Sequence, residues 1–274
     1  MANALALASA VCFGATDFIA ALLSRRVHSA VVALVAQLGG TVLILVAALV
    51  VPAPSVTAGA LGWGALSGIG TGIGVAFLFR GMGNGQLSVV VPLSDVAGVV
   101  LPVLFGVLLL GERPSVLGWL GIAVAAPALW LVTHVGGATR TAVGSRDGLV
   151  SGIGFALQFI ALVPVDPAAG LWPLVASRVA SVAVILPMAV TARASLRTAP
   201  MRGPAALAAV GAGALGTLAI VLYTLATREQ LVAVAVVLTA LYPVIPVLLG
   251  LTVLRERVTT TQTAGSASPA RPSG

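Results

Sequence analysis

Three ionisable side chains lie inside apolar stretches that are long enough to cross a bilayer. Asp17 and Asp95 lie well inside two of these stretches, and Arg178 lies near the middle of a third. A charge in the membrane interior is costly unless it has a partner, a cavity or a function. Because an arginine between two carboxylates lowers that cost, we expect the three to form one polar site. Either carboxylate could bind a cation or a coupling proton, with Arg178 as the counter-ion.

The same residues could instead form a static ion pair that holds the helices together, and the sequence leaves this alternative open. Four uncharged polar side chains are secondary candidates for lining a cavity: Gln37, Gln158, Tyr223 and Tyr242. A single glutamine or tyrosine in a membrane helix more often bonds a neighbouring helix, so simple packing is the stronger expectation for each of these four.

Several kinds of chemistry are excluded by residue type. The chain contains no lysine, which excludes the lysine of a phosphate-binding loop and all Schiff-base chemistry. One cysteine and two histidines cannot build a structural zinc site or a disulfide framework. No hydrolase motif occurs. We therefore expect a protein that is not an enzyme and that needs no metal and no cofactor.

Two further patterns have structural explanations. The glycines of Gly68–Gly74 lack a preceding strand and a dinucleotide-binding spacing, so we expect small-residue helix packing there. Glu112-Arg113 and Glu256-Arg257 lie at the ends of apolar stretches. We expect these charges to anchor topology and gating rather than to bind substrate.

The elements that position these residues are predicted by composition. Of 274 residues 59% are hydrophobic and 8% are charged, whereas a soluble domain has about 25% charged residues. The net charge of +7 comes from arginines between apolar runs, which indicates membrane orientation rather than nucleic-acid binding. Nine apolar segments each have the length of one helical crossing. They are Ala4–Leu23, Ser29–Val51, Ala58–Met82, Leu87–Leu110, Ser115–Thr133, Gly148–Val163, Ala168–Thr191, Pro204–Ala226 and Leu231–Leu254.

An internal repeat organises these segments. Gln86–Arg113 aligns without a gap with Gln230–Arg257, including glutamine, proline and Glu-Arg positions that composition would not match by chance. The first half contains five predicted helices, an odd number, so the second half must be inverted in the membrane. Inverted repeats are typical of transporters, with the substrate site near the membrane midplane.

The predicted fold is an all-α polytopic membrane protein of two inverted five-helix repeats, the second lacking its last helix. The predicted division is a first repeat at 1–134, a linker at 135–147, a second repeat at 148–257 and a polar tail at 258–274. The tail cannot span a bilayer and is predicted to be disordered. About nine transmembrane helices result.

Several motifs resemble the EamA family of the drug/metabolite transporter superfamily, over nearly the whole chain. They are Phe13-Gly14, Pro102 with Leu110-Gly111-Glu112-Arg113-Pro114, and the recurrence at Pro246 and Leu254-Arg255-Glu256-Arg257. The resemblance implies ten helices in two inverted five-helix repeats that move small metabolites or drugs. The absent tenth helix is a departure from that pattern.

We therefore expect a multi-pass carrier of the plasma (inner) membrane that exports a small metabolite or drug-like molecule by alternating access, one repeat rocking against the other. The expected partners are the substrate and the lipid bilayer, with no nucleic acid. Proton coupling and a homodimer remain open. The alternative is an inactive or scaffold-type membrane protein, disabled by loss of the tenth helix.

Overall fold

The computed structural model describes residues 2–24, 26–84, 87–113, 116, 119, 140–191, 201 and 203–239. Within these ranges the regular structure is helical, which confirms the predicted all-α class. A single 3-10 turn, Pro167–Ala169, precedes α6. The α-helices among the described residues are α1 (Ala2–Ser24), α2 (Ser29–Val50), α3 (Ala58–Asn84), α4 (Leu87–Leu108), α5 (Arg140–Ile160), α6 (Trp172–Thr191), α7 (Gly203–Glu229) and α8 (Val232–Thr239).

In the part of the chain that the structure describes, five helical stretches are long and apolar enough to cross a membrane: Ala2–Ser24, Ser29–Val50, Ala58–Leu78, Trp172–Thr191 and Gly203–Glu229. A shorter apolar helix covers Leu93–Leu108. The chain is therefore a multi-pass membrane protein. The predicted segment Ser115–Thr133, most of the last segment and the polar tail lie outside the described residues.

Part of the stretch 135–147, which the sequence assigns to a linker, is helical in the structure. Helix α5 begins at Arg140, eight residues before the predicted segment Gly148–Val163. The reason is that hydropathy detects only the apolar part of a helix. The first turns of α5 carry Arg146 and Asp147, which lower the hydropathy without breaking the helix.

Consecutive helices of the first half run in alternate directions, and we name the two ends of the bundle accordingly. End A is where α1 begins and α2 ends, and end B is where α1 ends and α2 begins. Hydrogen bonds fix the direction of the later helices. Helix α7 is antiparallel to α1, because Ser9 bonds Ala219 and Thr16 bonds Ala212. Helix α5 is likewise antiparallel to α3.

The helices pack in two groups, each containing helices from both predicted repeats. Group I contains α3, α4, α5 and α6, and group II contains α1, α2, α7 and α8. The most extensive contacts join α3 to α5 and α6 in group I, and α7 to α1 and α2 in group II. The main contacts between the groups join α2 to α6 and α4 to α8. Among the described helices, the most extensive packing therefore joins helices of the two predicted repeats.

Glycines allow the close approach of helices in group I. A Cβ atom at Gly64 or Gly68 would overlap the backbone of α6 at Pro173 or Ser177. On the neighbouring face, Gly70 and Gly74 lie against α5. The predicted packing role of the α3 glycines is thus confirmed. One face of α3 packs against α6 and a neighbouring face packs against α5.

Candidate functional site

Asp17 and Asp95 belong to different groups of helices, and their charges interact. Asp17 lies on α1 of group II and Asp95 on α4 of group I. The Asp95 carboxylate acts electrostatically on Asp17. Among the described residues, the Asp17 side chain is exposed and the Asp95 side chain is partly buried.

An aromatic and aliphatic cluster lies on the end-A side of the two carboxylates. Phe13 is one helical turn from Asp17 and on the same face of α1. Its ring meets Phe159 of α5 edge-on, with ring centroids 6.3 Å apart. On α4, Val99 is one turn from Asp95 and packs against the same cluster. The two carboxylates are therefore followed by apolar side chains toward end A.

Arg178 is held by a glutamine of the other group. Its Nη1 donates a hydrogen bond of 2.5 Å to Oε1 of Gln37 on α2. The Gln37 Nε2 in turn donates to Oγ of Ser181, one turn from Arg178 on α6, at 3.0 Å. Gln37 is buried, so this chain of hydrogen bonds joins the two groups inside the membrane. The sequence placed Arg178 between Asp17 and Asp95, and its hydrogen bond in the described residues goes to Gln37 instead.

Two of the other secondary candidates, Gln158 and Tyr223, are buried. Gln158 lies on α5 and accepts hydrogen bonds from two residues of α3: its Oε1 from Thr71 at 2.5 Å, and its backbone oxygen from Ser67 at 2.9 Å. Tyr223 is fully buried with its ring 4.6 Å from that of Phe159, and its hydroxyl has no hydrogen-bond partner among the described residues. Tyr242 lies outside the described residues.

The sequence reading did not identify Asp147. Its carboxylate, 1% exposed, accepts two hydrogen bonds from Arg80, from Nε at 3.0 Å and from Nη2 at 2.5 Å. The Arg80 guanidinium also lies 4.4 Å from the centre of the Phe77 ring, a cation–π contact. These hydrogen bonds raise the pKa of Arg80 above its usual value. The pair joins α3 to α5 at end B. The only signal in the sequence was an aspartate directly before the predicted segment Gly148–Val163, whose start hydropathy placed too late in the chain.

A second polar contact lies at end A. The Glu112 Oε1, just beyond the end of α4, accepts a hydrogen bond of 2.7 Å from the backbone N–H of Val232, the first residue of α8. A carboxylate at the start of a helix satisfies an otherwise unpaired N–H and interacts favourably with the helix dipole. This contact joins group I to group II.

Comparison with known proteins supports the resemblance that the motifs predicted. Residues 1–134 match the model of the EamA-like transporter family. The chain is 44% identical over 68 residues to an "Uncharacterized transporter in cobO 3'region" from Sinorhizobium sp, a match covering 24% of this chain and 48% of that protein. The chain thus matches about half the length of this curated relative. The predicted resemblance to the EamA family is confirmed over the first half of the chain.

Proposed function

We propose that this multi-pass membrane protein, whose residues 1–134 match the EamA-like transporter family, is a secondary transporter. It exports a small metabolite or drug-like molecule across the plasma membrane by alternating access. The observation that carries the proposal is that two carboxylates inside apolar helices, Asp17 and Asp95, lie on different groups of helices. A site between two packed bodies is where alternating access requires it.

The chemistry of the carboxylate pair favours a cation. Two neighbouring carboxylates in the apolar part of a membrane protein repel each other, so a shared proton or a positively charged group of a substrate lowers the energy of the pair. We therefore assign Asp17 and Asp95 to binding of the cationic substrate or the coupling proton.

Matching hydrogen bonds support an inverted repeat. On α1, Ser9 and Thr16 donate to the α7 backbone at Ala219 and Ala212. On α5, Ser151, the counterpart of Ser9, donates to α3 at Gly74.

Two helical turns from Ser151, the roles of donor and acceptor change, and Ser67 of α3 donates to Gln158. Both antiparallel pairs thus carry two bonds with the same spacing. Since α3 runs parallel to α1 and antiparallel to α5, α5 runs opposite to α1. This arrangement supports inversion of the second repeat.

The bodies that move in this proposal differ from those that the sequence suggested. Rocking one repeat against the other would separate α3 from α5 and α1 from α7, which are among the most extensively packed pairs. Movement of group I against group II leaves those pairs intact. It also changes the surroundings of Asp17 and Asp95, which lie on different groups.

Uptake into proteoliposomes tests the proposal. The purified chain is reconstituted and offered a panel of labelled cationic, zwitterionic and neutral metabolites, with and without a proton gradient. We expect uptake of at least one compound above empty liposomes, and loss of that uptake in Asp17→Asn and Asp95→Asn. Glu229→Gln, which removes an exposed carboxylate at the end of α7, is the matched control and should retain transport.

Two results would count against the proposal. The absence of uptake of any compound by well-folded protein would favour the alternative, an inactive or scaffold-type membrane protein. Full transport by both aspartate variants would remove the carboxylate pair from the mechanism while leaving transport itself in place.

A further inference from the structure

The contact between Glu112 and α8 lies where the two groups of helices meet at end A. Helix α4, which Glu112 follows, belongs to group I, and α8 belongs to group II. The bond from the Val232 N–H to Glu112 therefore bridges the groups. By contrast, the hydrogen bond of Ser9 lies within group II, and those of Ser151 and Gln158 lie within group I.

The backbone after α4 holds Glu112 at this position. Gly111 has a φ of +67°, a left-handed conformation that side chains other than glycine rarely adopt. The Glu112 N–H then donates to the Gly106 oxygen of α4 at 3.0 Å, which ties the turn back to its own helix. The carboxylate is thereby fixed to group I while it binds the first N–H of a helix in group II.

An apolar cluster lies beside this contact and fills the space between the groups at end A. It includes Val103 of α4, Tyr223 of α7, and Val232 and Ala235 of α8, all at most 4% exposed. The charge of Glu112 also acts on the Tyr223 hydroxyl. Any opening of end A must separate Val103 from the α8 residues, and so must also break the bond between Glu112 and Val232.

We infer that Glu112 is the latch of end A: its bond to the start of α8 holds the two groups together there, and it must break before the site opens to that end. The latch is a positioning residue, because Glu112 acts through the helices and not on the transported molecule. This inference rests on the proposed function, since it assumes that the groups move apart. Its test, however, measures opening and not transport, so the two can fail separately.

Thiol labelling measures the opening. The native cysteine is replaced (Cys12→Ala), and Ala235→Cys places a reporter inside the apolar cluster, 0% exposed in this structure. The protein is placed in lipid nanodiscs, where a membrane-impermeant maleimide has access to both ends. Replacing a helix-capping carboxylate by alanine costs about 1 kcal/mol, so Glu112→Ala should raise the labelling rate about fivefold. Glu112→Gln, which keeps an oxygen at the same place, should give a smaller rise.

The control is Glu229→Ala, which removes an exposed carboxylate at the same end of the bundle and should leave the rate unchanged. Elution as a single species in gel filtration establishes that each variant is folded. If Glu112→Ala does not fold, Glu112→Gln carries the test. Labelling at the parent rate in the folded Glu112 variants, or an equal rise in Glu229→Ala, would overturn the latch.

Discussion

The ion pair between Arg80 and Asp147 leads to a prediction about which of its two members matters more. The pair is unevenly buried, since the Asp147 side chain is 1% exposed and that of Arg80 is 51% exposed. Removing Arg80 leaves a buried carboxylate without the two hydrogen bonds that satisfied it. Removing the charge of Asp147 leaves a guanidinium that can turn toward water.

The burial sets the sizes of the two effects. Removing one partner of a fully buried pair costs about 3–5 kcal/mol, and the exposure of Arg80 places Arg80→Gln at the lower end, at about 3 kcal/mol. Asp147→Asn resembles the loss of a surface pair and should cost about 1 kcal/mol. The double variant Arg80→Gln/Asp147→Asn leaves no buried charge and should be more stable than Arg80→Gln alone.

Thermal unfolding in a mild detergent, with the four proteins compared as a cycle, measures these differences. Arg146→Ala, which removes an exposed arginine beside Asp147, is the control and should cost nothing measurable. The reasoning is refuted if Asp147→Asn costs as much as Arg80→Gln. It is also refuted if the double variant loses the sum of the two single effects, because that outcome would mean that the residues do not interact.

Three further pairs of substitutions test the packing between helices, each by thermal unfolding in detergent. Gly68→Val should destabilise by about 2 kcal/mol because its Cβ would overlap the Ser177 backbone, whereas Gly62→Val, with open space around it, should not; equal effects would contradict the close approach of α3 and α6. Ser9→Ala and Ser151→Ala should each cost about 1 kcal/mol and should add in the double variant, since the two hydroxyls serve different groups. Gln37→Leu should cost about 2 kcal/mol by removing the acceptor of Arg178, and Ser181→Ala should cost less; the reverse order would show that the arginine does not depend on Gln37.

The sequence predicted the helices well because one physical quantity, apolar length, determines them. Helices α2, α4 and α6 begin or end within a few residues of the predicted segments. The start of α5 was misplaced because its polar first turns lie outside the apolar stretch that hydropathy detects. The packing of α3 against both α5 and α6 was visible only as a glycine pattern, without its partners.

The partners of the polar residues were less predictable, because pairing depends on which helix faces point at each other. Arg178 was expected between two aspartates and is bonded to Gln37, a residue that the sequence offered only as a secondary candidate. Glu112 stood out through the repeat, yet nothing in the sequence indicated that its partner is the backbone N–H of Val232. A hydrogen bond to a backbone N–H does not depend on the side chain of the donor residue, so the sequence does not indicate it.

The central claim is that Asp17 and Asp95 form one transport site between the two groups of helices. Transport rates of Asp17→Asn, Asp95→Asn and the double variant in proteoliposomes test it most directly, with Glu229→Gln as the control. Because the charges of the two residues interact, we predict that the double variant loses no more transport than the more impaired single variant. Losses that multiply in the double variant would show that the two aspartates act at separate places, and would contradict a single site.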